Sequence, residues 1–300
     1  MKKLIIICLT SMLLVTDYSI AGTWTTIDVP GAWDTQACGI SGSNVVGRYG
    51  DDSGGTHGFI YNGTTLTTLD VPGANCTWAS GISGSNIVGF YRDISDVGHG
   101  FLYNGSTLTT LDRPGAYEPI ANDIDGSNIV GYIYYHGFLY NGTTWTTFDM
   151  PGASETWACG ISGSNIVGGY YDDSGNHSFL YNGSEWTTLA MPGAYYTYAL
   201  GIDGSNIVGY YGDASGDEHG FLYNGSGWTT LDMPGASQTE AFGIDGSNIV
   251  GKYFCYCYGS SGEHGFIYTI PEPTTVLLLG LGALIFGRPY KNAHNIKGRN

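Results

Sequence analysis

Six histidines recur along the chain: His57, His99, His136, His177, His219 and His264, each followed by Gly-Phe or, after His177, by Ser-Phe. Imidazole can ligate a metal or move a proton near neutral pH, so a series of them raises the question of catalysis. Their even repetition argues otherwise, because equivalent positions of a ring of units lie too far apart to converge on one ion. No HExxH pair and no serine-nucleophile elbow accompanies them. The expected role is a polar anchor that bonds between neighbouring strands. No catalytic residue, metal ligand or cofactor is assigned.

The carboxylates fall into two further series. Asp28, Asp70, Asp112, Asp149 and Asp232 precede a Pro-Gly loop in five copies, with Ala190 in the other, while Asp51-Asp52, Asp93, Asp172-Asp173 and Asp213 open a second loop class. Calcium needs several oxygens around it. Asp51-Asp52-Ser53-Gly54 lacks the DxDxDG spacing, the third copy lacks the loop and the sixth lacks its aspartates, so turn capping is the expected role. Aromatic residues accompany the Pro-Gly loops. Trp33, Trp78, Tyr117, Trp157 and Tyr195 are candidate glycan contacts, since a ring beside Asp or Asn can stack on a sugar and orient its hydroxyls. Packing between repeats is the competing role for them.

Those residues are positioned by a repeat. Pro-Gly-Ala begins at Pro30, Pro72, Pro114, Pro151, Pro192 and Pro234, at spacings of 42, 42, 37, 41 and 42 residues. Gly-Ser-Asn-Ile-Val-Gly begins at Gly84, Gly126, Gly163, Gly204 and Gly246, with Val45 replacing the Ile in the copy from Gly42. Within each unit, short β-rich runs are separated by Gly-Ser-Asn and Asn-Gly turns, which demand positive φ and mark hairpins. The Asn-Gly-Thr/Ser triplets at Asn62, Asn104, Asn141, Asn182 and Asn224 are read as such turns rather than as glycosylation sites. Four antiparallel strands in about 42 residues is the size of a propeller blade.

The unit resembles the bacterial extracellular HAF repeat, with His-Gly-Phe standing in for His-Ala-Phe, over residues 23 to 268. The ends are complementary: a fourth-type strand opens the body at Thr23 to Val29, and a first, second and third close it at Ala241 to Tyr268. The expected fold is therefore all-β, a six-bladed β-propeller over 22–269 closed by the N-terminal strand, with a linear β-solenoid as the alternative. Closure would remove the open sheet edges that a solenoid leaves.

The flanks read as addresses. Lys2-Lys3, an apolar run from Leu4 to Val15 and Ser19-Ile20-Ala21 predict a signal peptide over 1–21. At the other end, Pro271-Glu272-Pro273 precedes the apolar run Val276 to Phe286 and the basic residues Arg288 and Lys291. This order resembles the PEP-CTERM sorting signal of Gram-negative bacteria. The resemblance implies recognition by an exosortase-type enzyme and export to the envelope or extracellular matrix, with Pro271, Glu272, Pro273 and Arg288 as the signal residues. Residues 270–290 are expected to form this sorting or transmembrane segment, placing the chain in the membrane at least transiently, and 291–300 a polar tail. A plain C-terminal anchor is the alternative, and it too leaves the body outside the cytoplasm.

Charge narrows the partners. The whole chain carries −16, and between residues 22 and 270 four bases stand against 24 acids. Nucleic-acid affinity depends on neutralising phosphates with Lys and Arg, so such a partner is excluded. Once Cys8 leaves with the signal, Cys38, Cys76, Cys159, Cys255 and Cys257 remain, an odd and small set read mostly as packing residues. The expectation is an exported, non-enzymatic protein whose propeller is an interaction or carbohydrate-binding scaffold, with exopolysaccharide as candidate partner. The alternative is a secreted propeller-fold glycan hydrolase or lyase, for which the divergent third copy, with Glu118 and Asp123, is the place to look.

Overall fold

A computed structural model describes residues 22–115, 118–257 and 260–271. The described residues are organised as strands, with no helix among them. Their hairpins follow the turn chemistry of the sequence. In Val29-Pro30-Gly31-Ala32, Ala32 N donates to Val29 O at 3.0 Å and Gly31 has φ 83°, the positive value that the third position of a type II turn requires. Each Asn-Gly turn is tied by its own asparagine: Asn62 Oδ1 accepts from Thr64 N and Thr65 N at 3.0 and 2.8 Å.

The chain is a β-propeller. Three four-stranded antiparallel sheets run from Ile120 to Phe148, Glu155 to Leu189 and Tyr196 to Leu231. A fourth combines Thr23–Ile27 with the three strands between Gln238 and Thr269, Thr23 pairing with Thr269 and Ile27 with Gly265. This is the closure that the complementary ends predict. The fifth sheet has eight strands, from Asp34 to Leu111. The expectation of six separate four-stranded blades is thus corrected to four separate sheets and one of double length. The merger rests on one parallel pair, Thr56 with Cys76, where the chain crosses from one unit to the next.

The first strand of every unit lies at the centre. Asp34–Ser41, Cys76–Ser83, Ile120–Asp125, Glu155–Ser162, Tyr196–Asp203 and Gln238–Asp245 each touch the next, and the last touches the first. Hydrogen bonds stitch the same cycle. Ser41, Ser83 and Ser162 Oγ accept from Gly84, Gly126 and Gly204 N at 3.1, 3.2 and 3.0 Å. Asp125 and Asp203 Oδ2 accept from Gly163 and Gly246 N at 2.7 and 2.8 Å, and Asp245 closes the seam on Gly42 N.

One phenylalanine per unit fills the space between sheets: Phe59, Phe101, Phe138, Phe179, Phe221 and Phe266 are fully buried. Each such side chain contributes about 2–3 kcal/mol of burial. The glycine of each Val-Gly pair makes room for it; a Cβ on Gly209 would meet Tyr198 O and stand 2.9 Å from the Phe221 ring. Strand order gives the ring two faces. The turn face carries the Gly-Ser-Asn and Asn-Gly turns, and the loop face carries the Asp-rich and Pro-Gly loops.

No helix of the described residues is long and apolar enough to cross a membrane. The expected signal peptide over 1–21 lies outside the described residues, as do Glu272, Pro273, Arg288 and the tail, while Pro271 is described.

Candidate functional site: the loop face

Each histidine opens a third strand on the loop face, and the structure assigns it a clamp. His57 Nδ1 lies 2.8 Å from Asp70 Oδ2, and its Nε2 lies 3.2 Å from Asp51 Oδ2. His99, His136 and His219 meet Asp112, Asp149 and Asp232 at 2.9 Å, and His264 reaches Asp28 at 3.0 Å across the closure. Tyr49, Tyr91, Tyr211 and Tyr253 stack on His57, His99, His219 and His264 at 5.0–5.3 Å. The hydrogen bond that His57 donates to Asp70 raises the pKa of the histidine. In His219 burial opposes the charge, and Asp232 overcomes it, so that pKa is raised as well.

In sequence the histidine and aspartate series look unrelated, although four of the pairs share a 13-residue offset. The exception confirms the partnership. Where Ala190 replaces the aspartate, His177 keeps only the loop side of the clamp, its Nε2 lying 2.8 Å from Ser174 Oγ and 3.2 Å from Asp172 Oδ1. In that same unit Ser178 replaces the usual glycine and bonds Thr197 O and Ala199 N at 2.8 and 2.9 Å.

The loop aspartates cap their own turns. Asp51 Oδ1 accepts from Ser53 N, Ser53 Oγ and Gly55 N at 2.7–2.9 Å. Led by the Ser53 hydroxyl, these donors hold its pKa down to about 2. Asp93 accepts from Ser95 and Val97 N, Asp172 from Ser174, and Asp213 from Ser215 and Asp217 N. Their pKa values are lowered for the same reason.

The candidate aromatics separate into two groups. Trp33 and Tyr195 stand beside Pro-Gly-Ala loops and are 61% and 85% exposed. Trp78 and Trp157 lie further in, half-buried on first strands, and Tyr117 is outside the described residues. The Arg48 guanidinium sits 4.6 Å over the Trp78 ring, a cation–π contact, and Trp78 packs on Phe90 at 5.4 Å. Tyr134 and Tyr135 belong to the divergent third copy, while Ile94, Val97, Tyr171 and Tyr256 were not foreseen. With Trp33 and Tyr195 these are the exposed large apolar residues of the described chain, and all eight lie on the loop face.

Between blades, the same face carries a half-buried ionic cluster that repeat counting did not foresee. Lys252 Nζ lies 3.1 Å from Glu240 and 2.8 Å from Glu263; Gln36 Nε2 donates to Glu263 at 2.5 Å, and Arg48 Nε to Gln36 Oε1 at 3.0 Å. Burial pushes Glu240 up. Burial also works against the Lys252 charge, but the two flanking carboxylates override it and raise that pKa.

Further along the axis, the six first strands enclose a cavity of about 40 Å3, lined by Cys38, Ser80, Asn122, Asp123 and Cys159 among others. That is room for little more than water. Asp123 stands where the other units have glycine, and its Oδ2 accepts from Ile161 N at 2.9 Å. Desolvation raises its pKa to about 7, and burial raises Cys159 to about 12. Cys38, Cys76 and Cys159 are free thiols, and Cys255 is disulfide-bonded.

Comparison with known proteins bears on body and tail separately. No curated protein sequence matches the chain. Among solved structures, the β-propeller domain of the Trilobed protease from Pyrococcus furiosus, described with an open velcro topology, is 9% identical over 81% of this chain and 94% of that one, with TM-score 0.54. The SapL1 lectin in complex with α-methyl fucoside is 16% identical over 81% of this chain and 98% of that one, with TM-score 0.51. Both show the fold alone. Residues 269–288 match the PEP-CTERM protein-sorting motif. The chain is thus a β-propeller body carrying a PEP-CTERM sorting motif at its C-terminal end.

Proposed function

We propose that this is an exported, non-enzymatic envelope or extracellular-matrix protein of a Gram-negative bacterium, whose propeller binds carbohydrate on its loop face. The tail directs exosortase-type sorting, with Pro271, Glu272, Pro273 and Arg288 as its recognition residues. The propeller counts as six blades when the eight-stranded sheet is taken as two units joined by the Thr56–Cys76 pair. One observation carries the binding reading: the exposed large apolar side chains gather on one face, interleaved with carboxylates. Rings that stack and carboxylates that accept hydroxyl protons are the two components of a sugar site. Trp33 and Tyr195 are the foremost stacking residues, and Trp78, Tyr117 and Trp157 complete the candidate set. A lectin on a similar fold is compatible with this assignment.

Glycan hydrolysis is the weaker reading. It needs two carboxylates around a sugar-sized pocket, one of them protonated. Glu240 and Glu263 are both engaged by Lys252, and Asp123 faces a cavity too small for a sugar. Affinity electrophoresis of the mature protein through gels containing the host's own exopolysaccharide tests the binding reading. Retardation is expected, and it should be lost in Trp33→Ala/Tyr195→Ala; unchanged mobility in every polysaccharide would refute it.

A further inference from the structure

The sorting motif begins where the fold ends, with no linker between. Residue 269 is both the last residue of the closing sheet and the first of the motif. Thr269 Oγ1 donates to Asn248 Oδ1 at 2.8 Å, and Ile270 N donates to Ser247 O at 2.8 Å. Ile270 also packs against the core with Trp24 and Tyr268. Ser247 and Asn248 belong to a Gly-Ser-Asn turn, so the chain leaves the propeller on the turn face. Thr23, paired with Thr269, enters on that face too.

Five residues, 271 to 275, separate this exit from the apolar run that starts at Val276. Fully extended, they reach at most ~18 Å. A blade of four strands at ~4.8 Å spacing is itself about 15 Å deep. A tether hardly longer than a blade, leaving from one face, does not let the disk turn over. We propose that, while the apolar run is in the bilayer, the turn face lies against the membrane surface and the loop face points outward.

Charge supports this orientation. Between residues 22 and 270 the acids of the turn face are Asp125, Asp203, Asp245 and Glu185, and the three aspartates are engaged by glycine amides of the seam. Apart from Asp123 on the axis, the remaining acids lie on the loop side, where an anionic leaflet would repel them. The inference rests on the sorting reading, since the apolar run must enter lipid, and is independent of what the loop face binds.

The test uses the full chain reconstituted into phosphatidylethanolamine–phosphatidylglycerol vesicles, with single added cysteines. Ser85→Cys and Ser205→Cys mark the turn face; Ser95→Cys and Ala214→Cys mark the loop face. Rates of labelling by a polyethylene-glycol maleimide are corrected for the native thiols with the unsubstituted chain and normalised to the same variant unfolded in urea. The expected result is turn-face labelling at least about fivefold slower than loop-face labelling. Equal rates, or a slower loop face, overturn the orientation while leaving the sorting reading in place. Failure of the chain to float with the vesicles overturns the sorting reading, and the orientation with it.

Discussion

The turn face and the loop face are made by the same repeat, yet they spend their polar groups differently. On the turn face each Ser or Asp that ends a first strand accepts the amide of the next unit's turn glycine, and the bonds run round the ring. On the loop face the aspartates bond within their own unit, to a loop amide or to the histidine 13 residues earlier. The turn face holds the units to one another. The loop-face aspartates work unit by unit, and contacts such as Gln36–Glu263 and Arg48–Trp78 cross between blades beneath them, which leaves the loops free to differ in length and in the side chains they expose. A ring closed on one side can therefore vary its opposite side without losing closure.

The largest perturbation should strike both faces together. Gly209→Ala drives a Cβ into the Tyr198 carbonyl, between the two inner strands that carry one unit's turn and loop. We expect a loss of about 3 kcal/mol or more, seen as a fall of ~10 °C in Tm, with binding lost in proportion to unfolding. An unchanged Tm would mean that neighbouring units absorb the strain, and the faces would then be less tightly coupled than the shared core implies.

The next changes should separate the faces. Trp33→Ala/Tyr195→Ala removes exposed rings and should weaken polysaccharide binding about tenfold or more, a change of ~1.4 kcal/mol, with Tm unmoved. Asp203→Ala should do the reverse. It deprives Gly246 N of its acceptor, at a cost of about 1 kcal/mol and ~3 °C in Tm, with binding intact. Either result appearing on the wrong face breaks the division of labour.

How far these roles could be read from sequence depends on how far apart the partners lie. The strands, the turns and the ring closure were legible because each is a local pattern repeated at a fixed period. The double-length sheet was not, since a single pair, Thr56 with Cys76, decides it. The His57–Asp70 clamp was within reach, because the 13-residue offset recurs in four units and is broken only by Ala190 and by the ring closure that sets Asp28 against His264. The cluster of Gln36, Arg48, Lys252 and Glu263 was not, because Gln36 and Glu263 are 227 residues apart and meet only when the ring closes. The seam was invisible for a similar reason: nothing in the local sequence pairs Ser41, at the end of its strand, with Gly84, 43 residues on, and only the curvature of the ring brings them together.

Acidity should also act differently on loop face and axis. His57 has a raised pKa, so its contribution to stability is complete below the unfolded value near 6.5 and is lost as pH rises through the higher folded value. Asp51 has a lowered pKa, so its contribution is present above about 3.8 and is lost as pH falls through about 2. The loop face should hold best between roughly pH 4 and 6.5. His57→Gln should flatten the upper limb of a Tm–pH profile, and Asp51→Asn the lower one. Unchanged limbs in both variants would show that the clamps do not set the pH response.

The remaining effect concerns the axis, where Asp123 has the opposite sign to Asp51. Its folded pKa of about 7 lies above the ordinary carboxylate value, so the folded chain keeps a proton that the unfolded chain has released. Stability therefore declines from about pH 4 up to pH 7, and the penalty is complete above it. Asp123→Asn removes the ionisation and keeps an oxygen that can accept from Ile161 N. The variant should gain stability at pH 8, by at most ~4 kcal/mol for a shift of this size, and nothing at pH 4. A gain equal at both values would trace the effect to packing against Gly81 instead of charge. No gain at either would mean that the axial cavity holds enough water to solvate the carboxylate, and the axis would then be as tolerant of charge as the loop face above it.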